Sequence, residues 1–427
     1  MLAINEHTLN EHTLTAIRNQ LTTGRIAEIV DVTAKVTGQD PMLLSAADKV
    51  ALLSDITQLA PGALDSIIAD HSQAMRTVKG HTFEVVFDGL LRRNGVSVTA
   101  VGGDTDIDRI VGGQKLQLKT PYVAGCTDLE MAYKTHRTHG PKSAAESIDY
   151  YHRVDEFADY LVGLVAYNPL RVLIVPREDL PRVPDHEDYI QSPLLLDATD
   201  SRYLNRWDRL GLGSITSSDQ LADSVDDVLP RTAGWLGAPS DCVLNSIFDS
   251  KNFRAWDMNI RGFVREFALF HLLGDNGVHV YAPTIAGKPR SDKSDLALRV
   301  GDNYQRYQVK GLTWRGCRLA GDKTRVDVET QLSRGRVNDH PTQSRLYLAT
   351  DFEGVIVAVD PPYANTLSLA ATGQPDYHWR FYAVPTDQLV RHKTYTRRIA
   401  SHQYIQYNDL QKYAIDAAWM SQWSKED

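Results

Sequence analysis

Apolar residues recur at i, i+3 and i+4 spacing in IAEIVDVTAKV (26–36) and VALLSDITQLA (50–60), which predicts a helix over each. A third helical stretch over 80–93 runs into Asn94-Gly95, where glycine suits the left-handed cap that stops a helix. The period then changes to two. VSVTAVGG, DIDRIVGG and QKLQLKT read as short strands separated by turn signals. Further on, RVLIVP (171–176) and EGVIVAVD (353–360) are continuous β-branched runs, the pattern of central, buried strands.

The pattern occurs twice. Residues 80–98 and 262–280 share eight identities in nineteen ungapped positions: Gly80/Gly262, Glu84/Glu266, Leu90/Leu272, Leu91/Leu273, Asn94/Asn276, Gly95/Gly277, Val96/Val278 and Val98/Val280. Upstream, LDSII (64–68) matches LNSIF (244–248). Downstream, QLKTPYVAGC (117–126) matches QVKGLTWRGC (308–317). A repeat of this kind sets the architecture. The expected fold is α/β, with two tandem cores, each a mixed sheet flanked by helices and preceded by a helical lead-in. The expected boundaries are 1–75 for the first lead-in and 76–180 for the first core. An acidic connector and second lead-in follow over 181–255, the second core over 256–400, and a helical tail over 401–427.

Length and charge narrow the function classes. A chain of 427 residues is too long for one core. Its 46 Lys and Arg against 54 Asp and Glu give a net charge of −8, which excludes a wholesale polycation. Residues 178–227 hold twelve Asp and Glu against four Arg, so this one segment carries the whole excess and the rest is balanced. A solvated spacer is the expected role of that segment. No apolar run reaches 18 residues, so no membrane helix is expected, and the polar N-terminus lacks a signal-peptide pattern. Three widely spaced cysteines (Cys126, Cys242, Cys317) fit neither a disulfide framework nor a zinc finger, and the cytoplasm is the expected compartment. No GxxxxGK[ST] loop occurs, so no nucleotide cofactor is expected.

The repeat sets four polar residues in the same order twice: Glu84, Asp106, Gln117 and Lys119, then Glu266, Asp295, Gln308 and Lys310. Residues two apart on a strand share a face, so each Gln and Lys project together. The Asp lies one strand earlier, where a hairpin would bring it beside the pair. A carboxylate, an amide oxygen and a lysine make a hard-cation site with a positive charge alongside, suited to Mg²⁺. Asp104 and Asp108 rival Asp106 in the first copy. Asp106 is preferred because Asp106-Ile107 aligns with Asp295-Leu296, with Asp108 as the alternate.

An Asp, a turn, then Gln two residues before Lys resembles the PD-(D/E)XK, restriction-endonuclease-like nuclease superfamily in its QxK variant. The proline of the family's first half is missing, since Thr105 and Ser294 precede the aspartates. The resemblance implies an αβββαβ core and Mg²⁺-dependent hydrolysis of phosphodiesters, with Mn²⁺ as a substitute. It implies that Asp106, Gln117, Asp295 and Gln308 hold the metal, that Glu84 and Glu266 complete each site, and that Lys119 and Lys310 position the attacking water. The substrate implied is double-stranded DNA, cut by a monomer or homodimer with one strand per core, in restriction or another defence against foreign DNA. A strand-cutting component of transposition, recombination or repair, and an inactive DNA-binding scaffold, are the alternatives.

Segment 306–336 carries eight Lys and Arg against three acids, with Tyr307 and Trp314 interleaved, the composition of a DNA-backbone track. Arg315, Arg318, Lys323, Arg325, Arg334 and Arg336 are its candidate contacts. Lys134 and Arg137, in KTHRTHGPK (134–142), are candidates beside the first site. His136 and His139 there suit a phosphate-contacting loop better than a metal site. Cys126 and Cys317 read as small buried residues.

Overall fold

The paired Asn-Gly signals form matching caps. Asn94 and Asn276 each donate a side-chain bond to the carbonyl four residues back, at 2.9 and 2.8 Å. Val96 and Val278 each donate a backbone N–H to the carbonyl five residues back at 2.9 Å. The glycine between takes φ +73° in one and +76° in the other, which a side chain would resist. The computed structural model that shows this describes residues 9–70, 72–101, 107–122, 130–135, 148, 151–167, 169–213, 215, 228–253, 256–281, 294–300, 303–313, 324–331 and 346–423.

The lead-in helices are α1 (Glu11–Arg18), α2 (Ile26–Thr37), α3 (Ala46–Thr57) and α4 (Pro61–Asp70). The capped helix of the first copy is α5 (Ser72–Arg93). The first sheet is built from β1 (Val98–Ala100), β2 (Arg109–Val111), β3 (Gln114–Lys119), β5 (Tyr160–Tyr167) and β6 (Leu170–Pro176), in the order β1-β2-β3-β5-β6. Only β3 and β5 run parallel. The crossover between them carries β4 (Glu130–Tyr133), where the nuclease resemblance implies a helix; among the described residues no α-helix occurs there. The described part of the stretch expected to be a spacer, residues 178–213, is folded. It forms a hairpin of β7 (Arg182–Val183) and β8 (His186–Ile190), then β9 (Leu194–Asp197), which pairs with β4. Leu180, Ile190, Leu194, Leu196 and Tyr203 from it join the core formed by Tyr133, Phe157, Leu161 and Val175. Its surface charges are matched locally, as in Arg202 with Asp200 and Arg206 with Asp208.

The second half opens with α6 (Pro230–Leu236), α7 (Ser240–Phe248) and α8 (Arg261–Asp275). Its sheet contains β10 (Val280–Tyr281), β11 (Leu296–Val300), β12 (Asn303–Gly311), β14 (Gly354–Val359) and β15 (Arg380–Pro385), in the order β10-β11-β12-β14-β15. The pair β12 and β14 is the parallel one, so strand order and direction repeat those of the first sheet. Outside it, β13 (Arg325–Glu329) pairs with β16 (His402–Gln406), and α9 (Pro361–Thr372) follows β14. β14 is buried along its whole length between two neighbours, as its apolar run predicts. β6, also expected to be central, is an edge strand. It is buried all the same, because residues 203–205 bond along it. The expected C-terminal helix is two single turns, Tyr407–Leu410 and Ala417–Met420.

The chain forms two compact units, and each takes its lead-in from the other half of the sequence. Residues 1–44 and 48–67 group with 255–427, so the N-terminal helices belong with the second sheet. Arg25 pairs with Asp257 at 3.2 Å, and the Trp379 indole donates to the Thr57 carbonyl at 2.7 Å. The first sheet's unit, 68–254 with 45–47, is completed by α6 and α7, where Thr82 on α5 meets Ser246 on α7. In the second sheet's unit, Asp360 at the end of β14 is buried and receives Arg261 and Arg265 of α8. Charges buried this deeply persist only when paired and hydrogen-bonded. The contact fixes the helix that carries Glu266.

Candidate active site

The same backbone contact opens both sites. Asp108 donates its N–H to the Leu116 carbonyl at 2.8 Å, and Asp295 donates to the Tyr307 carbonyl at 2.8 Å. Each acceptor directly precedes the Gln-x-Lys of the next strand. Asp108 Oδ2 accepts from the Gln117 amide at 2.6 Å and from the Leu118 N–H at 2.7 Å. Asp295 Oδ2 accepts from the Gln308 amide and from the Val309 N–H at 2.9 Å. Asp108 is therefore the counterpart of Asp295. Asp106, preferred on sequence, lies outside the described residues.

Hairpin length explains the misalignment. Val111 pairs with Gln114, and Val300 with Asn303, so both hairpins turn over two residues. Asp108 stands three positions before Val111, the last paired residue of its hairpin, and Asp295 five before Val300. Two extra residues on each strand preserve which face every side chain occupies, because the strand period is two. The sequence favours Asp106 because Asp106-Ile107 matches Asp295-Leu296, whereas Asp108 is followed by Arg109.

Lys119 lies close enough to Asp108 to act on its charge. Burial pushes the Asp108 carboxyl above its usual range, against the pull of Lys119 and the Leu118 N–H. In the second site, Lys310 is half-buried by surface area while its ammonium end is enclosed by protein. Burial lowers its pKa, opposed by Asp295, Glu266 and Glu329. The ammonium stands 5.5 Å from the centre of the Tyr347 ring. The Tyr347 hydroxyl donates to Gln308 Oε1 at 3.0 Å, so both ends of that buried amide are engaged.

Glu84 is placed differently from Glu266. Its carboxylate accepts from Arg109 Nη2 at 2.8 Å, while Arg109 Nε bonds Asp88 at 2.7 Å. Burial raises the Glu84 carboxyl, but His81 and Arg109 prevail and hold it below the usual carboxylate range. Glu266 acts on Lys310 from α8. Four residues here escaped the sequence reading: Asp88, Arg109, Glu329 and Tyr347. A signal existed for one, since Arg109 interrupts the apolar face of the short strand RIV.

Among the other candidates, Lys134 lies over the Tyr122 ring at 4.3 Å and Arg325 over the Tyr404 ring at 4.9 Å. Arg137, Arg315, Arg318, Lys323, Arg334 and Arg336 lie outside the described residues, as do His136, His139, Cys126, Cys317 and Trp314. Cys242 is a free, partly buried thiol pushed up to about 11 by burial, which suits packing rather than nucleophilic work.

The donor set can be tested against the implied Mg²⁺. Among the described residues, no three His, Cys, Asp or Glu side chains converge as metal ligands. Mg²⁺ is often held through one or two carboxylates and keeps several waters. One Asp with an amide oxygen beside it meets that lower requirement. The amide presents its N–H₂ to the carboxylate in both sites, as it must when no cation lies between them. Coordination by the amide oxygen requires the group to turn over. In the second site the turn gives up the Tyr347 bond in its present form.

No family model and no curated protein matches this chain. Among solved structures, a bacterial homing endonuclease aligns with 38% of this chain and 88% of its own, at 16% identity and a TM-score of 0.22. That score carries no argument about activity, and the superfamily resemblance rests on this chain's own residues. No described helix is long and apolar enough to cross a membrane.

Proposed function

We propose that the chain is a metal-dependent nuclease that hydrolyses DNA phosphodiester bonds. One observation carries the reading. An Asp bonded to the Gln, and to the following N–H, of a Gln-x-Lys strand is built twice, on equivalent strands of two sheets with the same order. A duplicated surface accident would not preserve both side-chain and backbone partners across hairpins of different length.

In the second site Asp295 would hold Mg²⁺, with the Gln308 oxygen turned inward and Glu266 alongside. Bound there, the metal supplies positive charge to the phosphoryl oxygens as negative charge builds on them. Lys310 is the group suited to orient the attacking water, and its lowered pKa brings it nearer to accepting a proton. The water oxygen forms a new bond to phosphorus as one ester P–O bond breaks, and the water's proton ends on the released sugar oxygen. The basic stretch around 306–336 supplies charge for the DNA backbone. Restriction of foreign DNA is the proposed setting, with transposition, recombination or repair as the alternative.

The test is to incubate the full chain with supercoiled plasmid in Mg²⁺ and in EDTA. Open-circular or linear product in Mg²⁺, and none in EDTA, is expected. A plasmid left intact with both Mg²⁺ and Mn²⁺ overturns the reading.

A further inference from the structure

We infer that the outer face of the β13–β16 ribbon holds the phosphate backbone of duplex DNA beside the second site, with Arg325 as the contact and Tyr404 as its platform. This rests on the nuclease reading above and names the surface that would carry its substrate.

The ribbon is tied to the strand that bears Lys310. Leu312, two residues beyond that lysine, bridges to Val328. Thr313 donates its N–H to the Asp327 carbonyl at 2.9 Å and its hydroxyl to Asp327 Oδ2 at 3.0 Å. The strand period of two then divides the side chains. Val326 and Val328 of β13, with Ile405 of β16, turn inward to the core around Tyr347 and Tyr363. Arg325, Asp327 and Glu329 face the other way, in register with Gln406, Tyr404 and His402. Of these, Arg325, Glu329, Tyr404 and Gln406 are exposed.

The outer face is ordered before anything binds. Asp327 is buried, and its Oδ1 bonds His402 Nδ1 at 2.9 Å. The imidazole so held lies within 12° of the plane of the Tyr404 ring, 6.1 Å away. The guanidinium of Arg325 stands 4.9 Å over the same ring. A ring attracts a cation but takes none of its N–H groups, so they stay available to an acceptor. Holding the planar fork in place reduces what is lost when it meets a phosphate. Other exposed arginines are already engaged: Arg202, Arg206, Arg306 and Arg380 each hold a carboxylate within 3.0 Å. Among the described residues no carboxylate pairs with Arg325.

Charge selects the occupant. The sequence on either side of β13, 314–323 and 332–345, holds six Lys and Arg against two Asp. The exposed acid of the face, Glu329, stands four residues from Arg325, about 13 Å along the strand. The end bearing Arg325 therefore offers cation and aromatic surface to a polyanion, on a ribbon anchored to the Lys310 strand. Duplex DNA is that polyanion under the nuclease reading.

The test is a salt titration of binding to a labelled DNA duplex, read by fluorescence anisotropy in EDTA, so that binding is measured apart from cleavage. It compares the full-length wild type with Arg325→Gln, Tyr404→Ala and Arg202→Gln, all at exposed positions that do not threaten folding. Arg325→Gln is expected to weaken binding about tenfold and to reduce the slope of log affinity against log salt by about 0.9, the share of one phosphate. Tyr404→Ala should weaken binding with little change of slope, because it removes a platform and no charge. Arg202→Gln removes a cation that Asp200 already holds, and should bind like wild type. Wild-type affinity and slope in Arg325→Gln overturn the inference. So do wild-type affinity in Tyr404→Ala, an equal loss in Arg202→Gln, and a wild type that does not bind the duplex. Plasmid left intact in Mg²⁺ and Mn²⁺, with duplex binding still weakened by Arg325→Gln, sinks the nuclease reading and leaves this surface standing. Cleavage by wild type, with Arg325→Gln binding as wild type does, keeps that reading and removes the surface.

Discussion

The side-chain amide of Gln117 donates a 2.6 Å hydrogen bond to the carboxylate of Asp108, two positions beyond the aspartate that the sequence favours. The same oxygen takes the Leu118 N–H, so Asp108 ties the β2 strand start to the middle of β3. Asp108→Ala leaves a largely buried N–H and amide without their acceptor, a loss of about 1–3 kcal/mol. Asp108→Asn keeps an oxygen for the N–H and should recover part of that loss. Urea unfolding of the two variants checks the order; equal stability of alanine variant and wild type contradicts it.

Gln308→Glu puts a second carboxylate beside Asp295 and removes the amide that now shields it. Two like charges this close need a cation between them. The Mg²⁺ concentration for half-maximal cleavage should fall, by about tenfold on the scale of other ligand-environment changes. Thermal stability without metal should fall as well. A Mg²⁺ response identical to wild type would show that this amide lies outside the metal site.

Gly163 of β5 pairs in register with Lys119 of β3, and a Cβ there would stand 2.6 Å from the ring of Tyr133. Tyr133 is fully buried, and its hydroxyl donates to the Leu164 carbonyl at 2.8 Å, so the ring has nowhere to retreat. Gly163→Ala should cost about 1–3 kcal/mol by overpacking. A lower urea midpoint with an unchanged slope is the expected result, and an unchanged midpoint contradicts the packing.

Asp360 sets an acid limit on the second sheet's unit. Burial alone would raise its carboxyl, but Arg261 and Arg265 hold it below the usual carboxylate value. A depressed folded value contributes stability that is complete above the unfolded value, about 3.9, and is lost as pH falls through the folded one. Wild type should lose this contribution below about pH 4. Asp360→Asn should be less stable at pH 7, because the buried Arg261 and the partly buried Arg265 lose their counter-charge, and its acid limb should be flatter. Parallel pH–stability curves for the two proteins would contradict the assignment.

Much of this architecture is legible in the residues. The Asn-Gly caps, the Gln-x-Lys strands and the buried run of β14 follow from local chemistry: a glycine at positive φ, a period of two, a β-branched stretch. What the sequence conceals is non-local. Helices α2 and α3 show their own periodicity, but nothing in it says that Trp379 and Asp257 await them in the other half. The acidic stretch reads as a spacer because its charges dominate its composition, while the few apolar residues that anchor it, such as Ile190 and Leu194, are spaced for strands. Asp108 was displaced by Asp106 because Asp106-Ile107 matches Asp295-Leu296, whereas Asp108 is followed by Arg109. Arg109 escaped because its partners, Glu84 and Asp88, lie 25 and 21 residues away on a helix.

The most direct measurement is the rate of supercoiled-plasmid cleavage in Mg²⁺ by wild type and by Asp295→Asn at equal concentration. The substitution keeps an acceptor for the Val309 N–H and removes only the charge that would hold the metal. The account predicts cleavage by wild type and a clear fall in the rate of linear-product formation in the variant. Equal rates for the two proteins would contradict it.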